Sequence, residues 1–154
     1  MICPMDDTDR RMLAILQREG RITNAELAER LHLSPSPCLR RLRALEADGV
    51  IAGYRAVLDR RRAGLGLTVF VELKVDGHSD RTAAAITEAI HATPEIVSAH
   101  IVSGAADFLL EVVVADLRDY ERLLFDTLLN LPNVSDVRSN FALRAIKSRG
   151  PLPL

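Results

Sequence analysis

The 154-residue sequence holds two cysteines, Cys3 and Cys38, too few for the disulfide framework of a small secreted domain and without metal-ligand spacing. They fit a reducing compartment. No apolar run approaches the ~18 residues needed to cross a bilayer. The start, Met1 to Arg11, has neither the basic region nor the apolar stretch of a secretory signal. A soluble, cytoplasmic protein is expected. Catalytic constellations are also missing. His32, His78, His91 and His100 are scattered, with no acid or thiol at motif spacing. The nearest pair, His100 and Asp107, reads as turn or interface residues. Gly64-x-Gly66 lacks the rest of a dinucleotide fingerprint, and no glycine-rich phosphate loop follows a strand. An enzyme is not expected, nor a bound metal.

With 48% hydrophobic residues and no long polar tract, nearly the whole chain is expected to fold. The net charge of −1 hides an asymmetry. Residues 1–62 hold 12 Lys+Arg against 9 Asp+Glu, and residues 63–154 hold 8 against 12. Seven arginines fall between Leu33 and Arg62, concentrating positive charge where a polyanion can be met. A compositional bias toward arginine, 18 against 2 lysines, is the plainer source of the same pattern.

Along the first part, a helix is expected from Asp6 or Asp7, with Met12, Leu13, Ile15 and Leu16 on one face and a stop at Gly20. Thr23-Asn24-Ala25-Glu26 reads as a capping box opening a second helix, whose buried stripe is Leu27, Ala28 and Leu31. Ser34 as N-cap and Pro35 at the first helical position open a third, running to about Asp48 and ending at Gly49. On a 3.6-residue wheel Cys38, Leu42 and Leu45 form a narrow face. Ser36, Arg40, Arg43 and Ala47 lie opposite, and Arg41 flanks. Val50 to Leu58 reads as β-like, and Asp59 to Gly66 as a linker.

The second part contains a weak internal repeat. Phe70-Val71-Glu72-Leu73-Lys74-Val75 aligns with Leu109-Leu110-Glu111-Val112-Val113-Val114. Each strand leads to a helical pattern, Ala83, Ile86, Ala89 and Ile90 in one copy and Tyr120, Leu123, Leu124 and Leu128 in the other. Each helix then ends at a proline turn before another strand, at Thr93-Pro94 and Leu131-Pro132. With a short turn at Ser103-Gly104-Ala105-Ala106 the order is βαββαβ, a ferredoxin-like split arrangement. The α+β architecture is therefore a helix-turn-helix, winged-helix-like domain over 1–58, a linker over 59–66 and a ferredoxin-like domain over 67–154. Helices cover only one sheet face, so the other invites self-association, although Phe70, Glu72 and Lys74 make it mixed.

A capped helix, a tight turn and an arginine-faced helix are the pattern of a helix-turn-helix whose last helix enters the major groove of double-stranded DNA. Ser34 and Ser36, with free N–H groups of the third helix's first turn, are expected to hold a phosphate, and Arg40, Arg41 and Arg43 to reach bases or phosphates. Thr23, Asn24 and Pro37 complete the candidate DNA-binding set. A three-helix packing unit with solvated arginines is the structural alternative.

Leu33-Ser34-Pro35-Ser36-Pro37-Cys38-Leu39-Arg40-Arg41-Leu42-Arg43-Ala44-Leu45-Glu46, followed by Gly49-Val50-Ile51 and Gly53-Tyr54, resembles the Lrp/AsnC (leucine-responsive, feast/famine) transcription factors. The resemblance extends upstream through Met5-Asp6-Asp7-Thr8-Asp9 and Gly20 to Leu27. Downstream it takes in Val102 to Leu110 and Leu131-Pro132-Asn133-Val134, so essentially the whole chain is covered.

The resemblance implies that the second domain is the family's regulator-of-amino-acid-metabolism (RAM) domain. Such a domain pairs into homodimers, commonly builds octamers and often binds an amino acid between subunits. Gly104, Asp107 and Leu110 match the family's Gly-x-x-Asp-x-x-Leu spacing. The N–H groups around Ser103, Gly104, Ala105 and Ala106 suit a carboxylate, and Asp107 suits an ammonium. A plainer reading makes Gly104 the hairpin turn and Asp107 its cap. Ala105 and Ala106 depart from many members, where an aromatic or acidic residue is frequent, and leave the side-chain pocket undefined. Resemblance implies a second wall from residues 136–140 of a neighbouring subunit, with Asn140 its polar residue. Leucine or methionine is the expected effector. A ligand-independent architectural DNA-binding protein is the rival reading.

Overall fold

The computed structural model describes residues 5–77, 80–148 and 150–154; Cys3 and His78 lie outside them. The chain forms two compact units, one of Met1–Val57 with Ile146–Leu154, the other of Leu58–Ala145. The tail from Ile146 groups in space with the first unit, while in sequence it lies within the span expected for the second domain. Its Leu152 backbone exchanges two hydrogen bonds with the Gln17 carboxamide, one of 2.5 Å received by Oε1 and one of 3.3 Å given by Nε2. Among the described residues no helix is long and apolar enough to cross a membrane.

The first unit is three helices, α1 (Asp7–Leu16), α2 (Asn24–Leu31) and α3 (Pro35–Ala47). Their starts follow the side chains that satisfy free backbone donors. Asp6 caps α1 reciprocally with Asp9, and Thr23 caps α2 reciprocally with Glu26. Pro35 opens α3 at a position where a missing N–H costs nothing. Met12, Leu13, Leu27, Ala28, Leu31, Cys38 and Leu45 form the core, with Leu42 packed partly against it. α1 ends at Leu16, four residues before the expected stop at Gly20. The Arg18 and Glu19 N–H groups both turn back to the Ile15 carbonyl, tightening the chain out of the helix first. Gly49, by contrast, follows α3 at φ 72, where L side chains are strained. Val50 to Leu58 is not a strand. Its backbone pairs with no neighbouring strand among the described residues, and the Tyr54, Val57 and Leu58 side chains are exposed.

The second unit is β1 (Leu67–Val75), α4 (Asp80–Ala92), β2 (Ile96–Ile101), β3 (Phe108–Val114), α5 (Leu117–Asp126), a 3₁₀ turn (Leu128–Asn130) and β4 (Val134–Phe141). The strands lie in the order β2-β3-β1-β4, each neighbouring pair antiparallel. This is the split βαββαβ sheet read from the repeat. Val69, Val71, Leu73, Leu110, Val112 and Val114 meet Ile86, Tyr120, Leu123 and Leu128 in one core. The expected inward Ala83 is exposed; Thr82, four residues before Ile86, takes the inner position and its Oγ1 accepts a bond from Asn133. On the other sheet face Phe70, Glu72 and Lys74 stand opposite Asn140, Arg138 and Asp136 of β4, giving the mixed surface expected.

Candidate nucleic-acid interface and effector turn

Burial of the Cys38, Leu42 and Leu45 stripe turns the opposite side of α3 outward. Ser34, Ser36, Arg40 and Arg43 are exposed and Pro37 is half-buried. Among the described residues neither Arg40 nor Arg43 makes an ion pair, so this face carries two uncompensated cations. The Ser34 side chain makes no capping bond. The expected nest of free N–H groups is smaller than foreseen. Pro35 and Pro37 have none, and the Cys38 N–H donates to the Ser34 carbonyl at 3.2 Å, leaving Ser34 and Ser36 as the backbone donors of this turn.

The other candidates have partners within the chain. The Thr23 hydroxyl donates to Glu26 Oε2 at 2.7 Å and accepts the Glu26 N–H at 3.3 Å. The Thr23 N–H, which donates to Glu26 Oε2 at 2.9 Å, and after it the Thr23 hydroxyl hold the Glu26 carboxyl below its ordinary range. Asn24 Nδ2 donates to the Pro35 carbonyl at 3.0 Å, tying the start of α2 to the first turn of α3. Its Oδ1 is buried with no partner among the described residues.

Arg41 departs most from expectation. Its Nη1 reaches Asp6 Oδ2 at 2.7 Å and Asp9 Oδ1 at 2.9 Å, placing it against α1 instead of beside Arg40 and Arg43. The Asp9 backbone N–H bond, then Arg41, lower the Asp6 pKa, while the hydrogen bonds that Arg41 donates to Asp6 and Asp9 raise its own. Sequence reasoning treated Asp6 only as a helix start; the signal for its second role was the Asp6-x-x-Asp9 spacing. It also passed over Tyr54, whose hydroxyl donates to Glu46 Oε1 at 3.0 Å near the end of α3. Burial first, then that bond, raises the Tyr54 pKa, and burial pushes up the Cys38 thiol.

In the second unit, Ser103, Gly104 and Ala105 are exposed at the tip of the β2–β3 turn, and Ala106 and Asp107 are half-buried. Gly104 has φ 124, a conformation that favours glycine. The Val75 N–H donates to Asp107 Oδ2 at 2.8 Å and the Asp107 N–H to the Leu73 carbonyl at 2.9 Å. Asn140 stands opposite Phe70, three to five residues farther along β1, roughly 10 to 16 Å at ~3.3 Å per residue. Its Nδ2 donates to Glu72 at 3.2 Å. A single chain therefore does not bring Asn140 to the turn. His100 pairs with Ser98 at 3.0 Å, not with Asp107. A cleft of about 410 Å³ lined by Ile90, His91, Ile96 and His100, with Phe108 at its side, does not include the turn.

Comparison with known proteins adds identity to this geometry. Residues 5–52 match the winged helix-turn-helix DNA-binding family model, and residues 68–152 match the Lrp/AsnC ligand binding domain. The leucine-responsive regulatory protein of Escherichia coli K12 is 40% identical over 148 residues, covering 96% of this chain and 90% of that protein. A transcriptional regulator of Neisseria meningitidis, solved as a complex with L-methionine, superposes with a TM-score of 0.93 at 37% identity, covering 97% of each chain. An AsnC family transcriptional regulator of Agrobacterium tumefaciens gives 0.92 at 36% identity, again covering 97% of each. A DNA-binding helical unit, a split βαββαβ ligand domain and relatives matched along almost their whole length make this chain a member of the Lrp/AsnC family of transcriptional regulators.

Proposed function

We propose that α3 enters the major groove, with Arg40 and Arg43 at base edges or phosphates and Ser34 and Ser36 on the backbone. The observation that carries this reading is the exposed, unpaired Arg40 and Arg43 opposite the buried Cys38 and Leu45. The chain acts as a homodimer built through its open sheet face, assembling further to octamers, in the cytoplasm with its DNA. Arg40→Ala or Arg43→Ala then weakens binding to a selected duplex by ~1–3 kcal/mol where a bidentate base contact is lost. Unchanged footprinting with both replaced rejects the groove assignment. A dimer protects half-sites about one helical turn, ~34 Å, apart.

The second part of the proposal is an amino acid effector, leucine or methionine, held between subunits. Its carboxylate lies on the Ser103, Gly104, Ala105 and Ala106 turn, its ammonium at Asp107, and Asn140 comes from the partner. The exposed glycine turn and the L-methionine held by the Neisseria relative support it. The involvement of Asp107 with the Val75 N–H favours a second reading, in which the turn is purely structural and the protein organises DNA without a ligand. Thermal-shift measurements with the common amino acids separate the two. Stabilisation by one or two of them supports the sensor, and no shift from any rejects it.

A further inference from the structure

We infer that Arg41 is a positioning residue for the recognition helix: with Asp6 and Asp9 it forms a charged clamp between α1 and α3, and it does not contact DNA. The inference rests on the proposed insertion of α3 into the major groove.

The clamp follows from how four carboxylate oxygens are divided. Asp6 Oδ1 accepts the Asp9 N–H at 2.9 Å, and Asp9 Oδ2 accepts the Asp6 N–H at 3.2 Å. The two remaining oxygens, Asp6 Oδ2 and Asp9 Oδ1, both receive Arg41 Nη1. The helix cap thus orders both anions before the cation is added. The capped carboxylates distinguish the triad from a lone pair such as Arg122 with Asp119, where the carboxylate is not held by a reciprocal cap. The charges point the same way. One guanidinium shared between two carboxylates is neutralised where it stands, so Arg41 offers a phosphate no net positive charge. Arg40 and Arg43 carry no such compensation.

The mechanical argument concerns rotation. α3 is seated by a stripe only three residues wide, Cys38, Leu42 and Leu45, which resists sliding better than rolling. A roll of ~10° moves a side-chain tip ~6 Å from the axis by ~1 Å, enough to spoil a bidentate base contact. Arg41 stands beside that stripe and ties α3 to α1. Asn24 holds the first turn of α3 and Tyr54 its last.

The test is a double-mutant cycle on the full chain. It uses a duplex selected from a random pool by the wild-type protein, an unrelated duplex, and the salt dependence of both. Arg41→Ala is expected to weaken the selected duplex about tenfold, as for one impaired base contact, while unrelated-duplex affinity and salt slope stay unchanged. Asp6→Asn with Asp9→Asn keeps the capping oxygens and removes the charge, so it should reproduce the loss. In that background Arg41→Ala should add less than about twofold. Arg41→Lys, which keeps one cationic nitrogen for both carboxylates, should retain specificity.

A salt slope lower by about one, with the same loss in both backgrounds, places Arg41 on a phosphate and overturns the inference. Equal weakening of both duplexes in step with lost thermal stability also overturns it, because a merely structural residue moves both. Arg40→Ala with Arg43→Ala distinguishes the parent reading. If that pair leaves the selected duplex unaffected, α3 is not in the groove and both readings fall; if it weakens binding while Arg41 behaves as a phosphate contact, only the clamp falls.

Discussion

The Asp107 carboxylate accepts the Val75 backbone N–H at 2.8 Å while the Asp107 N–H donates to the Leu73 carbonyl at 2.9 Å, tying the chain to β1 beyond the Leu73–Phe108 pair. The residue best suited to an effector's ammonium therefore also closes the end of the sheet. Asp107→Ala removes the acceptor from a part-buried N–H and should destabilise the protein by ~1–3 kcal/mol in urea titration. Asp107→Asn retains an acceptor oxygen and should be milder. Both variants should lose the thermal shift produced by an amino acid; a response surviving in Asp107→Asn would remove the ammonium contact.

The clamp at α1 makes acid stability depend on Asp6. Its folded pKa is depressed below the ordinary aspartate value, first by the Asp9 N–H and then by Arg41. A depressed carboxylate contributes stability above its unfolded pKa and loses it as pH falls through the lower folded value. The contribution should be level above pH ~5 and decline from about pH 4 downward. Thermal denaturation of Asp6→Asn across that range should show a shallower acid decline than wild type; parallel curves would remove Asp6 from the linkage.

The cap of α2 offers a local measure. Thr23→Ala leaves the Glu26 N–H without its side-chain acceptor and frees the Glu26 carboxylate from the Thr23 hydroxyl. A loss of ~1 kcal/mol is expected, and Thr23→Ser should recover most of it. Chemical denaturation of the three proteins checks the order.

The Gln17 carboxamide pairs with both backbone groups of Leu152. Gln17→Ala should raise the hydrogen-exchange rate of the Leu152 amide while changing global stability by no more than ~1 kcal/mol, since the contact is exposed. An unchanged exchange rate would mean that other contacts hold the tail.

The legible features were those decided within a few residues. Thr23 with Glu26, Pro35 behind Ser34 and Gly49 behind Asp48 each set a helix boundary through their own nearest backbone groups. The repeat of Phe70–Val75 in Leu109–Val114 was equally readable, because strand alternation and proline turns recur at matching positions. Features that depend on a distant partner were not. Val50 to Leu58 has strand composition, but a strand also needs a neighbour. The early end of α1 is the local exception, since the Arg18 and Glu19 N–H groups share a carbonyl only three and four residues back, at Ile15.

The candidate sites divide along the same line. Amphipathic spacing alone determined that Arg40 and Arg43 lie opposite Cys38 and Leu45, since a 3.6-residue period leaves no other arrangement once that stripe is buried. Tertiary structure decided what the wheel left open at its flank: Arg41 goes to the carboxylates of α1, 35 and 32 residues away in sequence. The same holds for Asp107, for which capping and ligand binding were equally written in the turn. Only packing brings the Val75 N–H, 32 residues upstream, within 2.8 Å of its carboxylate. Periodicity is a property of one segment and survives in isolation, whereas an ion pair or a cross-strand bond exists only where two segments are brought together by the burial of their apolar faces.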